Sequence, residues 1–228
     1  MTTPVTSKET LSAIRRELFT AVVGDVMDTA GLTRQFLPAH IKPLHDDMVV
    51  IGWAMPVLEA DCYTSTVAHT QEQQPFGLMF DALDNLKPDE VYICTGASPN
   101  YALWGELMSV RARKLNAAGA VVDGYSRDTH GILRLGFPTF SHGRYAQDQG
   151  VRGRVIDFRC RIEFSNGVSI DPGDLIFGDI DGVLVIPAAH VDDIIHRALE
   201  KVHGEQLVRK ALENGMSARD AFDKYGIM

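Results

Sequence analysis

The order of the elements constrains this chain most. Its first half alternates helical and strand-like stretches, and its second half is a run of short strands closed by one long helical stretch. Leu11, Ile14, Leu18 and Val22 recur at helical spacing over residues 8–32, and a second turn of helix, Asp25–Ala30, ends at Gly31. Residues 48–58 are β-rich, with Gly52 a bulge or a close approach. Residues 75–86 and 104–118 read as helices, the second stopping at Gly119 as a C-terminal glycine. Residues 90–95, 119–124 and 137–141 read as short strands. Further on, residues 151–158 and 161–164 alternate like strands, and Asn166-Gly167 predicts a hairpin. Two turns rich in aspartate precede residues 175–177 and 183–186, and Pro187 opens a helix over 188–214 with Val191, Ile194, Ile195, Leu199 and Val202 as its apolar stripe. Helix–strand alternation first and a run of strands later predict one mixed α/β domain over residues 1–228, not a doubly wound sheet. Residues 1–7 form a loose tail in this reading, and residues 188–228 form C-terminal helices.

At 228 residues and 45% hydrophobic content the chain can bury a core without staples. Its 22 Lys and Arg against 30 Asp and Glu give a net charge of -8, with no basic run, which argues against a nucleic-acid partner. Cys62, Cys94 and Cys160 are odd in number and lie far apart, so neither a disulfide framework nor a zinc site is indicated. The histidines, His69 and His142 among them, lack metal-binding spacing. No stretch approaches the roughly 18 apolar residues of a membrane span, and the N-terminus has no signal-peptide core, so the expected location is the cytoplasm.

Residues 104–128 concentrate the chemistry. Gly105, Glu106, Leu107 and Met108 lie at the start of a helix, where unpaired backbone N–H groups and the positive dipole end favour a carboxylate or phosphate. The following strand leads into Arg127, a bidentate fork for a carboxylate or enolate, and Asp128, a hard oxygen ligand for magnesium or manganese. Together they suit chemistry on a small oxo-acid. Asn100 and Tyr101 are expected near the pocket, and Tyr101 and Tyr125 would admit a bulkier substrate. His130 reads as structural or solvent-facing, and Asp179 and Asp181 as turn residues. Trp53 and Trp104 read as core anchors.

Trp104-Gly105-Glu106-Leu107, then Gly119 to Gly124, then Arg127-Asp128 resemble the signature of the RraA-like proteins and class II 4-hydroxy-4-methyl-2-oxoglutarate aldolases. Phe137-Pro138 with Phe140, and Asp171-Pro172-Gly173-Asp174 with Asp179, Asp181-Gly182-Val183 and Ile186-Pro187, resemble further motifs of that family. The resemblance implies a compact α/β/β sandwich of the swivelling-domain type, assembled as a homotrimer or homohexamer with active sites between subunits. It implies a lyase that cleaves a 4-hydroxy-2-oxo acid to pyruvate and a second oxo-acid, and that decarboxylates oxaloacetate. It also implies Asp128 as direct ligand of Mg2+ or Mn2+, with Glu106 and Glu205 reaching the cation through water, Glu205 from a neighbouring subunit. Arg127 would steady the enolate, and the backbone of Gly105 to Met108 would hold the pyruvyl carboxylate. The alternative function in that family is a non-enzymatic regulator that binds a ribonuclease, which an acidic net charge would suit.

Overall fold

The computed structural model describes residues 8–62 and 76–227; the expected tail at 1–7 and His69 lie outside the described residues. The chain divides into two compact units, residues 34–188 and the segments on either side of them.

The flanking segments build a helical unit from α1 (Lys8–Glu17), α2 (Thr20–Thr29), α6 (Val191–Glu213) and α7 (Ala218–Tyr225), numbered in chain order. The helical stretch expected over 8–32 is two helices, because Phe19 turns extended (φ -136°, ψ 157°) to start α2. α6 packs along α2, burying Ile194, Ile195, Ala198 and Val202 in one unit with Val22, Val23, Val26 and Met27. Ser217 caps α7 by accepting from Asp220 N at 3.1 Å.

The larger unit holds the strands β1 (Lys42–Pro43), β2 (Val50–Asp61), β3 (Glu90–Thr95), β4 (Ala102–Trp104), β5 (Gly119–Val122) and β6 (Tyr125–Ser126). They are followed by β7 (Thr139–Ser141), β8 (Gly153–Phe158), β9 (Ile162–Glu163), β10 (Ser169–Ile170), β11 (Leu175–Asp179) and β12 (Gly182–Ile186). α3 (Met79–Asp84), α4 (Glu106–Lys114) and α5 (Thr129–Leu135) lie among them. The main sheet runs β1-β7-β5-β3-β2-β11-β12, with β8 also on β2. β2, β3, β5 and β7 are parallel neighbours, each joined to the next by a crossover that contains one of the three helices. The other pairings are antiparallel, so the sheet is mixed as expected.

Strand alternation sorts the core into two layers. Met55, Val57, Tyr92, Cys94, Ala120 and Val122 join Leu83, Ala112 and Ile132 of the helices. Val50, Ala54, Val91, Ile93 and Val121 join Ile162, Phe164, Val168 and Ile170 of the β9–β10 hairpin. Helices, sheet and hairpin therefore form an α/β/β arrangement within this unit. Each fully buried Val, Leu, Ile or Phe contributes about 1.5–3 kcal/mol relative to exposure. Asn166-Gly167 closes the hairpin as read, with Gly167 at φ +83° and Phe164 N donating to Val168 O.

Three boundaries differ from the sequence reading. The helix expected at 75–86 is only Met79–Asp84, since Phe76 and Gly77 are left-handed (φ +66° and +62°). The helix expected at 104–118 begins after Gly105, because Trp104 is drawn into β4. The left-handed residue after that helix is Asn116 (φ +61°), not Gly119. Gly119 instead opens β5, where a Cβ would lie 2.7 Å from Val50 Cγ2 and 2.8 Å from Pro138 O. Gly52 is the close approach expected of it: a Cβ there would overlap the Asp89 carbonyl oxygen.

Candidate active site

Pairing of two short strands assembles the site. β4 and β6 run parallel, with Trp104 opposite Ser126, and Arg127 N donates to Trp104 O at 2.9 Å. This lays Arg127 and Asp128 beside Gly105, the residue that precedes α4. The indole of Trp104 is buried against Tyr92 and Phe137, as a core anchor should be. Its Nε1 donates to Ser109 Oγ at 2.7 Å, and Ser109 Oγ donates to Gly105 O at 3.0 Å. The first turn of α4 is thereby pinned, and no side chain caps it. The N–H groups of Glu106, Leu107 and Met108 have no partner one turn back, so this end attracts an anion.

Asp128 is left-handed (φ +55°, ψ 35°), a conformation that costs energy in any residue but glycine and clusters at functional sites. Its carbonyl accepts from Gly131 N and Ile132 N, which starts α5. The turn carries its carboxylate over bare backbone: a Cβ on Gly105 would lie 3.0 Å from Asp128 Oδ2 and 3.8 Å from Arg127 Nε. Arg127 Nε lies 3.8 Å from Asp128 Oδ2, and its Nη2 lies 3.2 Å from Asp148 Oδ1. Glu106 rests its carboxyl against Gly131 of α5, with Arg134 Nη2 4.0 Å from Oε1. Arg127, Asp128 and Asp148 keep about 40% of their side-chain surface or more in solvent. Ion pairs this exposed contribute roughly 0–1 kcal/mol. Stability does not account for gathering two carboxylates, Asp128 and Asp148, around Arg127.

Asp128 stands between two hollows. One, of about 420 Å³, is walled largely by apolar groups such as Phe76, Leu103 and Met108, with Arg127, Asp148 and Gln149 as polar contributors. The other, of about 520 Å³, is lined by Glu106, His130, Arg134 and Arg144. Asp128, over the bare backbone of Gly105, is a hard oxygen donor that fits a cation such as Mg2+ or Mn2+ as a lone protein ligand among waters; the oxygens of Asp128, Glu106 and Asp148 do not lie mutually within 4.8 Å. His130 is exposed as expected, although it lines the second hollow.

Sequence reading did not single out Asp148 or Gln149. Gln149 Nε2 donates to Glu59 Oε2 at 2.6 Å. Burial pushes the Glu59 carboxyl up to about 8, against the pull of that hydrogen bond, so it is neutral at pH 7. No local motif marks Asp148 and Gln149; only the pocket shows them. Tyr101 precedes Ala102 and Leu103, which line the first hollow. It is buried, donates its hydroxyl to Asp61, and lines neither hollow. Tyr125 also lines neither, packing against His142 and Tyr145. Asn100 donates to Ser98 Oγ. Asp179 accepts from Asp181 N, a turn role as read. Glu205 belongs to the helical unit, where its Oε1 lies 3.9 Å from Lys201 Nζ.

Fold and site together define a mixed α/β protein with an uncapped helix N-terminus beside Arg127 and the carboxylates of Asp128 and Asp148. Residues 20–185 match the RraA-like family, described as Aldolase/RraA, and the chain belongs to that family. It is 27% identical to protein DlpA of Legionella pneumophila over 90% of its own length, while spanning about a third (32%) of DlpA. It is 30% identical to a protein of Halalkalibacterium halodurans named "Putative 4-hydroxy-4-methyl-2-oxoglutarate aldolase", over 91% of this chain and 90% of that one. The structure of Streptomyces coelicolor RraAS2, described as an unusual member of the RNase ES inhibitor RraA protein family, superposes with a TM-score of 0.73. That match covers 89% of this chain and 96% of RraAS2 at 21% identity, and supports the fold.

Proposed function

We propose that this protein is a divalent-metal-dependent lyase that cleaves a 4-hydroxy-2-oxo acid, of the 4-hydroxy-4-methyl-2-oxoglutarate type, to pyruvate and a second oxo-acid, and that also decarboxylates oxaloacetate. The observation that carries this reading is the meeting of Asp128 and Arg127 over the bare backbone of Gly105 at the start of α4. Asp128 would hold Mg2+ or Mn2+ directly, with Glu106 and the partner subunit's Glu205 acting through water. A cation there supplies Lewis-acid polarisation of the 2-oxo group. The N–H groups of Glu106, Leu107 and Met108 receive the substrate carboxylate. Arg127, steadied by Asp148, faces the negative charge that develops as the C–C bond breaks. Glu106 orients the water that carries away the 4-hydroxyl proton. Leu103, Met108 and Phe76 offer an apolar wall to the rest of the substrate and limit the water around it.

The active form in this reading is a homotrimer or homohexamer. Leu107 and Phe80 line the hollow yet are 82% and 55% exposed, apolar surface that a second subunit would cover. A cytoplasmic location fits an oxo-acid enzyme, and among the described residues no helix is long and apolar enough to cross a membrane. The test is pyruvate release from 4-hydroxy-4-methyl-2-oxoglutarate with Mg2+, Mn2+ or EDTA, using wild type and Asp128→Ala. Metal-dependent turnover lost in a folded variant is expected; unchanged metal-dependent turnover in that variant refutes the reading. The net charge of -8 favours one alternative, a non-enzymatic regulator that binds the basic segment of a ribonuclease. Pull-down of such a ribonuclease by a protein inactive on all oxo-acids would move that reading forward.

A further inference from the structure

Away from the site just described, the register of the parallel strands brings together residues that no sequence spacing connects. β7, β5 and β3 are adjacent in the sheet, with Val121 opposite Phe140 and Cys94 opposite Val122. Continuing that register beyond the strand ends sets Thr95 beside Asp123 and Asp123 beside His142. β1 pairs antiparallel with β7 through Lys42 and Ser141, which lays His40 along the same end. The C-terminal ends of parallel strands are where open sheets collect ligands.

Three side chains converge there. His142 Nε2 lies 2.9 Å and His40 Nε2 3.8 Å from the same atom, Asp123 Oδ1. The two imidazoles meet edge to face at 4.2 Å. Thr95 Oγ1 donates to the other carboxylate oxygen, Asp123 Oδ2, at 2.6 Å. His142 and Asp123 are largely buried, with 12% and 14% of their side-chain surface exposed, while His40 is open to solvent. A lone Asp–His hydrogen bond accounts for one imidazole. It does not account for a second whose nitrogen faces the same oxygen from beyond hydrogen-bond distance. Two ligands on a tetrahedral cation with bonds of about 2.0–2.1 Å stand roughly 3.3–3.4 Å apart. The observed 2.9 and 3.8 Å bracket that separation.

We propose that His40, Asp123 and His142 form a second metal site, which takes a borderline divalent transition cation of the Zn2+ type. Two imidazole nitrogens and one carboxylate oxygen make a three-ligand set that suits zinc and its neighbours and leaves a coordination position open. The same set disfavours Mg2+, which prefers oxygen and its own water. Thr95 is the positioning residue that holds the carboxylate orientation. Among the described residues this is the group of His, Cys, Asp and Glu whose ligand atoms lie mutually within 4.8 Å.

The experiment titrates untagged, full-length Asp128→Ala protein with Co2+, read by its visible absorption, and then displaces it with Zn2+. The Asp128→Ala background removes the ligand assigned to the lyase cation, so failure of the lyase reading leaves this test intact. One saturable Co2+ per chain is expected, displaced by Zn2+ but not by excess Mg2+. Adding His40→Ala or His142→Ala should abolish the bands, and Thr95→Val should weaken affinity about 10- to 100-fold. His40 is exposed, so its variant should keep the wild-type circular dichroism spectrum even if His142→Ala does not. Absence of saturable Co2+ binding, or bands unchanged in a folded His40→Ala variant, would overturn the proposal.

Discussion

Glu59→Gln isolates the one buried carboxyl that touches the pocket wall. Glu59 sits fully inside the protein with Gln149 as its hydrogen-bond donor, and its Oε1 has no partner among the described residues. Its carboxyl ordinarily titrates at about 4.5 and here at about 8, with burial as the main cause. The folded state therefore keeps a proton that the unfolded chain releases between those values. Stability falls as pH rises wherever the folded state binds more protons. Glu59 contributes fully below pH 4.5, and its contribution is lost progressively up to pH 8. At about 1.4 kcal/mol per pH unit, the loss reaches a ceiling of about 5 kcal/mol by pH 8. Glutamine copies the shape of the neutral acid and still accepts from Gln149, but cannot ionise. The variant should match wild type near pH 5 and become more stable than it by several kcal/mol at pH 8. Urea unfolding at pH 5, 6.5 and 8 measures this, and histidine titration common to both proteins cancels in the difference. A stability difference that does not change with pH would show that Glu59 is not the buried neutral acid described above.

Gly131→Ala places a methyl group where the Glu106 carboxyl rests, and the flexible end of Glu106 can swing away. Stability should hold, or rise by up to about 1 kcal/mol from helix propensity, while kcat/KM for the oxo-acid falls about tenfold or more. Steady-state kinetics beside thermal unfolding check both halves. Trp104→Phe removes the donor to Ser109 Oγ and part of a fully buried ring. A loss of about 1–3 kcal/mol is expected in urea unfolding, with KM rising because the first turn of α4 is no longer pinned.

The layered fold is legible from residues 90–95 and 119–122, whose apolar runs alternate between two buried faces. Arg127, Asp128 and the start of the helix at Gly105 are legible because they are close in sequence. What hid was tertiary. Trp104 reads as the first helical residue until its pairing with Ser126 draws it into a strand. Asp148 and Gln149 sit in a loop without a motif, and reach the site through a backbone bridge to Ala102 and pairings with Arg127 and Glu59. Tyr101 is read near the pocket from its place beside Ala102, but its hydroxyl bond to Asp61 joins residues 40 positions apart and has no sequence signal. His40 and His142 come together only because β1 and β7 are edge neighbours.

Arg127 and Asp128 over Gly105 are proposed to form a metal-dependent oxo-acid site. Pyruvate release from oxaloacetate tests it most directly, with Mg2+, Mn2+ or EDTA, comparing wild type with Arg127→Ala above the spontaneous rate. Metal-dependent release by wild type, abolished by EDTA and reduced by at least about a hundredfold in the variant, is the predicted result. Release that is equal in the two proteins, or that EDTA leaves unchanged, would contradict it.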